Sequence, residues 1–318
     1  MPRTKKEIDA NLYKDFKEYL PDVAESSIKA YMTNLNHYAN YIDEPLSVSI
    51  FKDFDTVRDD LVEMKYSTNT LKNKISSIVS YLKMYDYDGK VISRYSEYID
   101  ALSGKISRTK ESMNMNDKEK DNWMTKQELE KYVEKLKQEL PKRPTSYGDI
   151  SKWARYITLL FHIHYPMRNE LSDLKIVDVN AKIEPDINYF IVNKTRKTVK
   201  ALIQKFKTSK TYKEINLDLI PSVSKEILEY YKYLSLYKKN NDINNDWLLL
   251  NKKGDKFSRN DYTRFIQSIF ENVGKKISTT MIRKIIVSDL YDVGKMKDLA
   301  KVMGHSPSQA LSTYAKEQ

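Results

Sequence analysis

The chain has 318 residues, room for two domains with separate cores, and its 55 Lys and Arg outnumber 44 Asp and Glu, giving a net charge of +11 and a pI near 9.2. That surplus favours a polyanionic partner, nucleic acid first. Cysteine is absent, which excludes disulfides, thiolate zinc sites and thiol nucleophiles. No run of 18 apolar residues offers a membrane span, and none of the seven glycines belongs to a Gly-x-x-x-x-Gly-Lys loop for ATP. The first residues lack the apolar core of a signal peptide, so an intracellular protein is expected.

Helices dominate the first hundred residues. Ile28, Tyr31, Leu35, Tyr38 and Ile42 recur every three or four positions, with Ser26 or Ser27 positioned to cap. Leu71, Ile75, Ile78, Val79 and Leu82 form a second stripe behind Ser67 or Thr68, and Lys29, Lys72, Lys74 and Lys83 fall off or beside these faces. A small helical bundle over 1–103 is expected. Residues 104–121 are polar and charged and read as a linker. A capping box, Thr125 with Glu128, opens the next helix, so a second domain is expected over 122–318.

Within it, 152–165 reads as a helix with Trp153, Ile157, Leu160, Phe161 and His164 on one face. Pro166 ends this helix and leaves Arg168 at a turn. Three short strands follow, at 189–192, 199–206 and 214–220, with a Lys-rich turn over 207–213 between the last two. Helical patterns then occupy 222–237, 259–273, 279–291 and 296–303. The predicted class is mainly α with a small antiparallel β-sheet. His162 and His164 lie two apart on a helix, face differently and have no third ligand, so no metal site is expected.

Three blocks stand out: Tyr165-Pro166-Met167-Arg168-Asn169-Glu170-Leu171, then Thr279-Thr280-Met281-Ile282-Arg283-Lys284, then Met303-Gly304-His305-Ser306 with Tyr314 nine residues after the His. In order and spacing they resemble the tyrosine recombinase, or phage-type integrase, family over roughly 122–318. The first hundred residues resemble that family's helical core-binding domain more loosely. The resemblance implies an N-terminal DNA clamp, a C-terminal α+β catalytic domain, double-stranded DNA as substrate and a homotetramer on DNA. It also implies a mobile element or virus as the genetic setting.

It assigns Tyr314 as nucleophile, Arg168 and Arg283 as the phosphate clamp, and His305 as a phosphate ligand or proton carrier. A hairpin lysine serves as general acid: Lys207 by strand register, with Lys210 as the alternative. The chemistry suits these types. A phenol with a pKa near 10 is only about one part in a thousand ionised at neutral pH, so attack on phosphorus needs surrounding cations. Arginine stays charged and presents a planar fork to two phosphate oxygens. No cofactor is implied, because the covalent intermediate conserves the bond energy.

Two positions depart from the pattern. Thr280 stands where the family carries His before the second arginine; its hydroxyl can donate to a phosphate oxygen but cannot serve as a base near neutrality. Leu171 stands three places after Arg168, where the family has an acid, with Glu170 and Asp173 beside it, so no structural acid is assigned. Four residues follow Tyr314, so either the sequence is truncated or subunits communicate through a surface other than a long tail. The expected function is site-specific DNA recombination through a 3′-phosphotyrosyl intermediate. The alternatives are a type IB-like topoisomerase or telomere resolvase using the same site, and a sequence-specific DNA-binding protein with a degenerate catalytic domain, a reading that rests on Thr280.

Overall fold

The computed structural model describes residues 10–111, 114–289, 300, 302–304 and 313–315, without the side chains of residues 10, 110, 111 and 210. The chain divides into two units, Met1–Ser112 and Met113–Gln318.

The first unit is helical: α1 (Ala10–Tyr19), α2 (Glu25–Tyr41), a 3-10 turn (Val48–Phe51), α3 (Phe54–Glu63), α4 (Thr68–Met84) and α5 (Gly89–Glu111). Its core joins Phe16, Ile28, Leu35, Tyr38, Phe51, Ile75, Leu82 and Tyr95. All five apolar residues of the α4 stripe are buried, and the Ser67 hydroxyl caps α4 by accepting from the Thr70 amide at 3.3 Å. The cap expected at Ser26 or Ser27 is not there. Helix α2 starts two or three residues earlier, behind an extended Ala24 that makes no side-chain cap bond. Two of the four lysines beside the stripes are engaged within the bundle. Lys74 is buried with its ammonium 4.6 Å from the Tyr66 ring, and Lys29 pairs with Glu25 at 2.6 Å.

Helix α5 runs through the first part of the segment read as a linker, because Ser, Lys, Arg and Glu sustain a helix as well as a coil. Residues 117–122 form the short helix α6 (Asp117–Asn122), held by an Asn116–Glu119 capping box. Glu119 is buried and pairs with Lys284, so α6, which belongs to the second unit, packs on the rest of it.

That unit continues with α7 (Lys126–Gln138), capped by Thr125 and Glu128 as expected, and α8 (Tyr147–His164). Helix α8 is buried on nearly every side against α7, α10 and α12, rather than along one stripe, and His164 is its exposed end. Then come β1 (Leu174–Asp178), β2 (Asn188–Asn193), β3 (Thr198–Ile203), the single turn α9 (Ser209–Tyr212) and β4 (Ile215–Asp218). Last are α10 (Pro221–Asn240), α11 (Arg259–Ile269), a 3-10 turn (Glu271–Val273) and α12 (Thr279–Asp289).

The sheet has order β1-β2-β3-β4. Strands β2 to β4 are antiparallel as expected, but β1 pairs parallel to β2, which makes the sheet mixed. Strand β3 stops at Ile203, short of Phe206, for a visible reason. The buried Asn188 carboxamide oxygen accepts from the Gln204 and Lys205 amides at 3.0 and 2.8 Å, so those donors leave the ladder. The chain is thereby released into the turn that carries Lys207. No described helix is long and apolar enough to cross a membrane.

Candidate active site

Arg168 sits in the turn after α8. That helix ends at His164, Pro166 cannot continue it, and the Met167 amide turns back to the Tyr165 carbonyl at 2.7 Å. Arg283 lies on α12, one turn past its start. Its side chain is only 2% exposed, which is unusual for a group that must keep its charge. The Arg283 guanidinium donates to the Tyr314 hydroxyl, and its carbon lies 4.0 Å from the Tyr314 ring centroid. Tyr314 is itself buried. The two residues are 31 positions apart in sequence, and this contact is the firmest link between the blocks.

Burial lowers the Arg283 pKa to about 10, with the neighbouring Arg168 charge pushing the same way and Tyr314 and Glu170 opposing. Arg283 therefore stays cationic at neutral pH. That Arg168 acts on it places the two guanidiniums within electrostatic reach of each other.

Glu170 joins this cluster. It is buried, burial pushes its carboxyl up, and Arg168 and Arg283 both pull it down. Its Oε2 has no hydrogen-bond partner among the described residues. The sequence assigned no acid here, since Glu170 is two places after Arg168 rather than three; an acid so close to that arginine was the available signal. Behind it, the buried His162 Nε2 lies 2.7 Å from the Tyr262 hydroxyl. Burial and the Arg283 charge lower the His162 pKa to about 3, so it is a neutral core histidine.

The β3–β4 turn docks on the third sequence block. The Thr208 hydroxyl donates to the Gly304 carbonyl at 2.8 Å. Gly304 has φ +63°, and a Cβ there would stand 2.8 Å from Phe206 Cε2. Phe206 and Thr208 flank Lys207, so the turn bearing the exposed Lys207 is docked on the residue just before His305. His305 and the Lys210 side chain lie outside the described residues. Thr280 is exposed; its neighbour Thr279 is buried and donates to Asn169 Oδ1 at 2.8 Å. The structure thus brings together Arg168, Arg283 and Tyr314, with the Lys207 turn held on Gly304. Among the described residues no group of acids and histidines could hold a metal ion.

The model of the phage integrase family matches residues 122–318. The chain belongs to that family. The sequence matches none of the curated proteins. Among solved structures it is similar to the crystal structure of XerA recombinase, at 15% identity and a TM-score of 0.44, covering 97% of this chain and 94% of that one. It is similar also to XerH site-specific recombinase bound to difH substrate in a pre-cleavage complex, at 15% identity and a TM-score of 0.45, covering 98% and 95%.

Proposed function

We propose that this member of the phage integrase family is a site-specific DNA recombinase that cuts and rejoins double-stranded DNA through Tyr314. The observation that carries the reading is the bond from the buried Arg283 guanidinium to the Tyr314 hydroxyl, inside a cluster that also holds Arg168. The cations of this cluster favour the charge that builds on phosphate oxygens in the transition state.

In the first step the Tyr314 oxygen bonds to phosphorus and the bond to the 5′ oxygen breaks. The phenol proton passes to His305 or solvent, and Lys207, or else Lys210, donates a proton to the leaving 5′ oxygen. The product is a 3′-phosphotyrosyl link and a free 5′-hydroxyl. A 5′-hydroxyl from a partner strand then attacks the same phosphorus and releases the phenol, so no external energy is needed. Arg168 and Arg283 neutralise the two non-bridging oxygens, and Thr280, exposed at the mouth of α12, donates to one of them. The N-terminal unit clamps the duplex, and a homotetramer on DNA performs the exchange.

The test is a nicked duplex from which the 5′ fragment diffuses away. The wild-type chain is expected to accumulate a covalent protein–DNA adduct, and Tyr314→Phe to accumulate none. Adduct formation by Tyr314→Phe refutes the nucleophile assignment. Tight, sequence-specific binding by the wild-type chain with no adduct on any substrate replaces the enzyme with a DNA-binding protein.

A further inference from the structure

We infer that Asn169 is a positioning residue that sets the distance between the two guanidiniums; this rests on the recombinase reading above. Asn169 follows Arg168 directly. Its Oδ1 accepts from the Thr279 hydroxyl at 2.8 Å, and its Nδ2 donates to the Thr263 hydroxyl at 3.1 Å. The orientation of the carboxamide is dictated by its partners. Thr263 spends its only proton on the Arg259 carbonyl at 3.0 Å, so it can only accept from Asn169, which leaves Oδ1 for Thr279. The Asn169 carbonyl also accepts from the Ser172 amide at 3.1 Å, fixing the turn itself.

The consequence lies in helix geometry. Thr279 and Arg283 are four residues apart on α12 and share one face. One carboxamide therefore ties the residue after the first arginine to the residue one turn before the second, and braces both on α11. Thr279 is buried, so water does not readily replace the bond. Neither threonine nor Asn169 touches the reacting atoms in this arrangement; they act through Arg168 and Arg283.

The experiment is single-turnover adduct formation on the nicked duplex at saturating DNA, with DNA affinity and thermal midpoint measured alongside. Asn169→Ala is expected to slow the adduct rate by ~10 to ~100-fold, the scale of a misplaced catalytic group, with DNA affinity changed less than about threefold. Thr279→Val is expected to fall by a comparable factor, Thr279→Ser to recover most of the wild-type rate, and the double variant to be no slower than Asn169→Ala alone. Replacing the scissile phosphate by a neutral methylphosphonate, which asks less of the paired cations, is expected to shrink the gap between Asn169→Ala and wild type.

A wild-type rate in folded Asn169→Ala or Thr279→Val overturns the inference while leaving the recombinase intact. So does a loss that Thr279→Ser fails to restore, or one that persists in full on the methylphosphonate. A wild-type chain that forms no adduct defeats the recombinase reading and this inference together.

Discussion

Gly304→Ala tests whether the Lys207 turn is seated on the glycine before His305. Gly304 has φ +63°, a conformation that costs an L-residue about 1–2 kcal/mol. The new methyl would also stand 2.8 and 3.1 Å from Phe206 Cε2 and Cδ2 and 3.2 Å from Thr208 Oγ1. Phe206 is buried and has little room to move aside, so the contact behaves as overpacking, worth about 1–3 kcal/mol. The expected loss of stability is therefore about 2–5 kcal/mol unless the turn shifts, and a shift breaks the Thr208 bond to the Gly304 carbonyl. Such a shift displaces Lys207. Urea unfolding reads the first effect and the adduct rate reads the second. A substrate whose leaving 5′ oxygen is replaced by sulfur separates the causes, because a thiolate departs without a proton. The Gly304→Ala defect should shrink on that substrate if Lys207 is the donor. Unchanged stability with an unchanged rate refutes the docking argument, and a defect equally large on the sulfur substrate refutes the donor assignment.

Two buried groups give pH signatures. His162 has a folded pKa of about 3, below the ordinary value of 6.5, so stability that is full above pH 6.5 is lost as pH falls towards 3, by at most about 1.4 kcal/mol per unit. His162→Gln, which can still bond to Tyr262, should flatten that limb in urea titrations between pH 7 and 4. Lys238 donates to the Trp247 carbonyl at 2.7 Å and is pushed down by burial to about 8, from an ordinary 10.5. The folded state then holds fewer protons between pH 8 and 10.5, so wild-type stability should rise across that window, while Lys238→Met should show a smaller rise.

The local signals were legible. Capping by Thr125 with Glu128 and by Ser67 needs only neighbours within one turn, and the α4 stripe is a periodicity. Strand β1 was not legible, because its five residues pair in parallel with a segment beginning at Asn188, and a parallel pair is not joined by the tight hairpin that would announce it. The early end of β3 depends on the side chain of Asn188, which no backbone propensity announces. At the site, order and residue type picked out Arg168, Arg283 and Tyr314 as candidates, because few residue types can grip a phosphate, and the fold brings Arg283 and Tyr314 into contact. Glu170 and Asn169 escaped because their roles exist only once α8, α11 and α12 have packed.

The electrostatics of the cluster explain why it suits an anion. Removing a guanidinium from water is costly unless opposite charge replaces the lost hydration. Arg283 is almost wholly buried with the Arg168 charge acting on it, and Glu170, whose charge opposes that effect, is pushed by its own burial towards the neutral form. The Tyr314 hydroxyl accepts from the Arg283 guanidinium. The Arg283 charge thus sits in a poorly solvated position. On the proposed recombinase reading, a phosphodiester seated against the arginines would offset that desolvation, and the pentavalent transition state, which carries more negative charge than the diester, would offset it further. Folding would then install the desolvated charge in advance and stabilise the reacting group most at the point where its own charge is greatest.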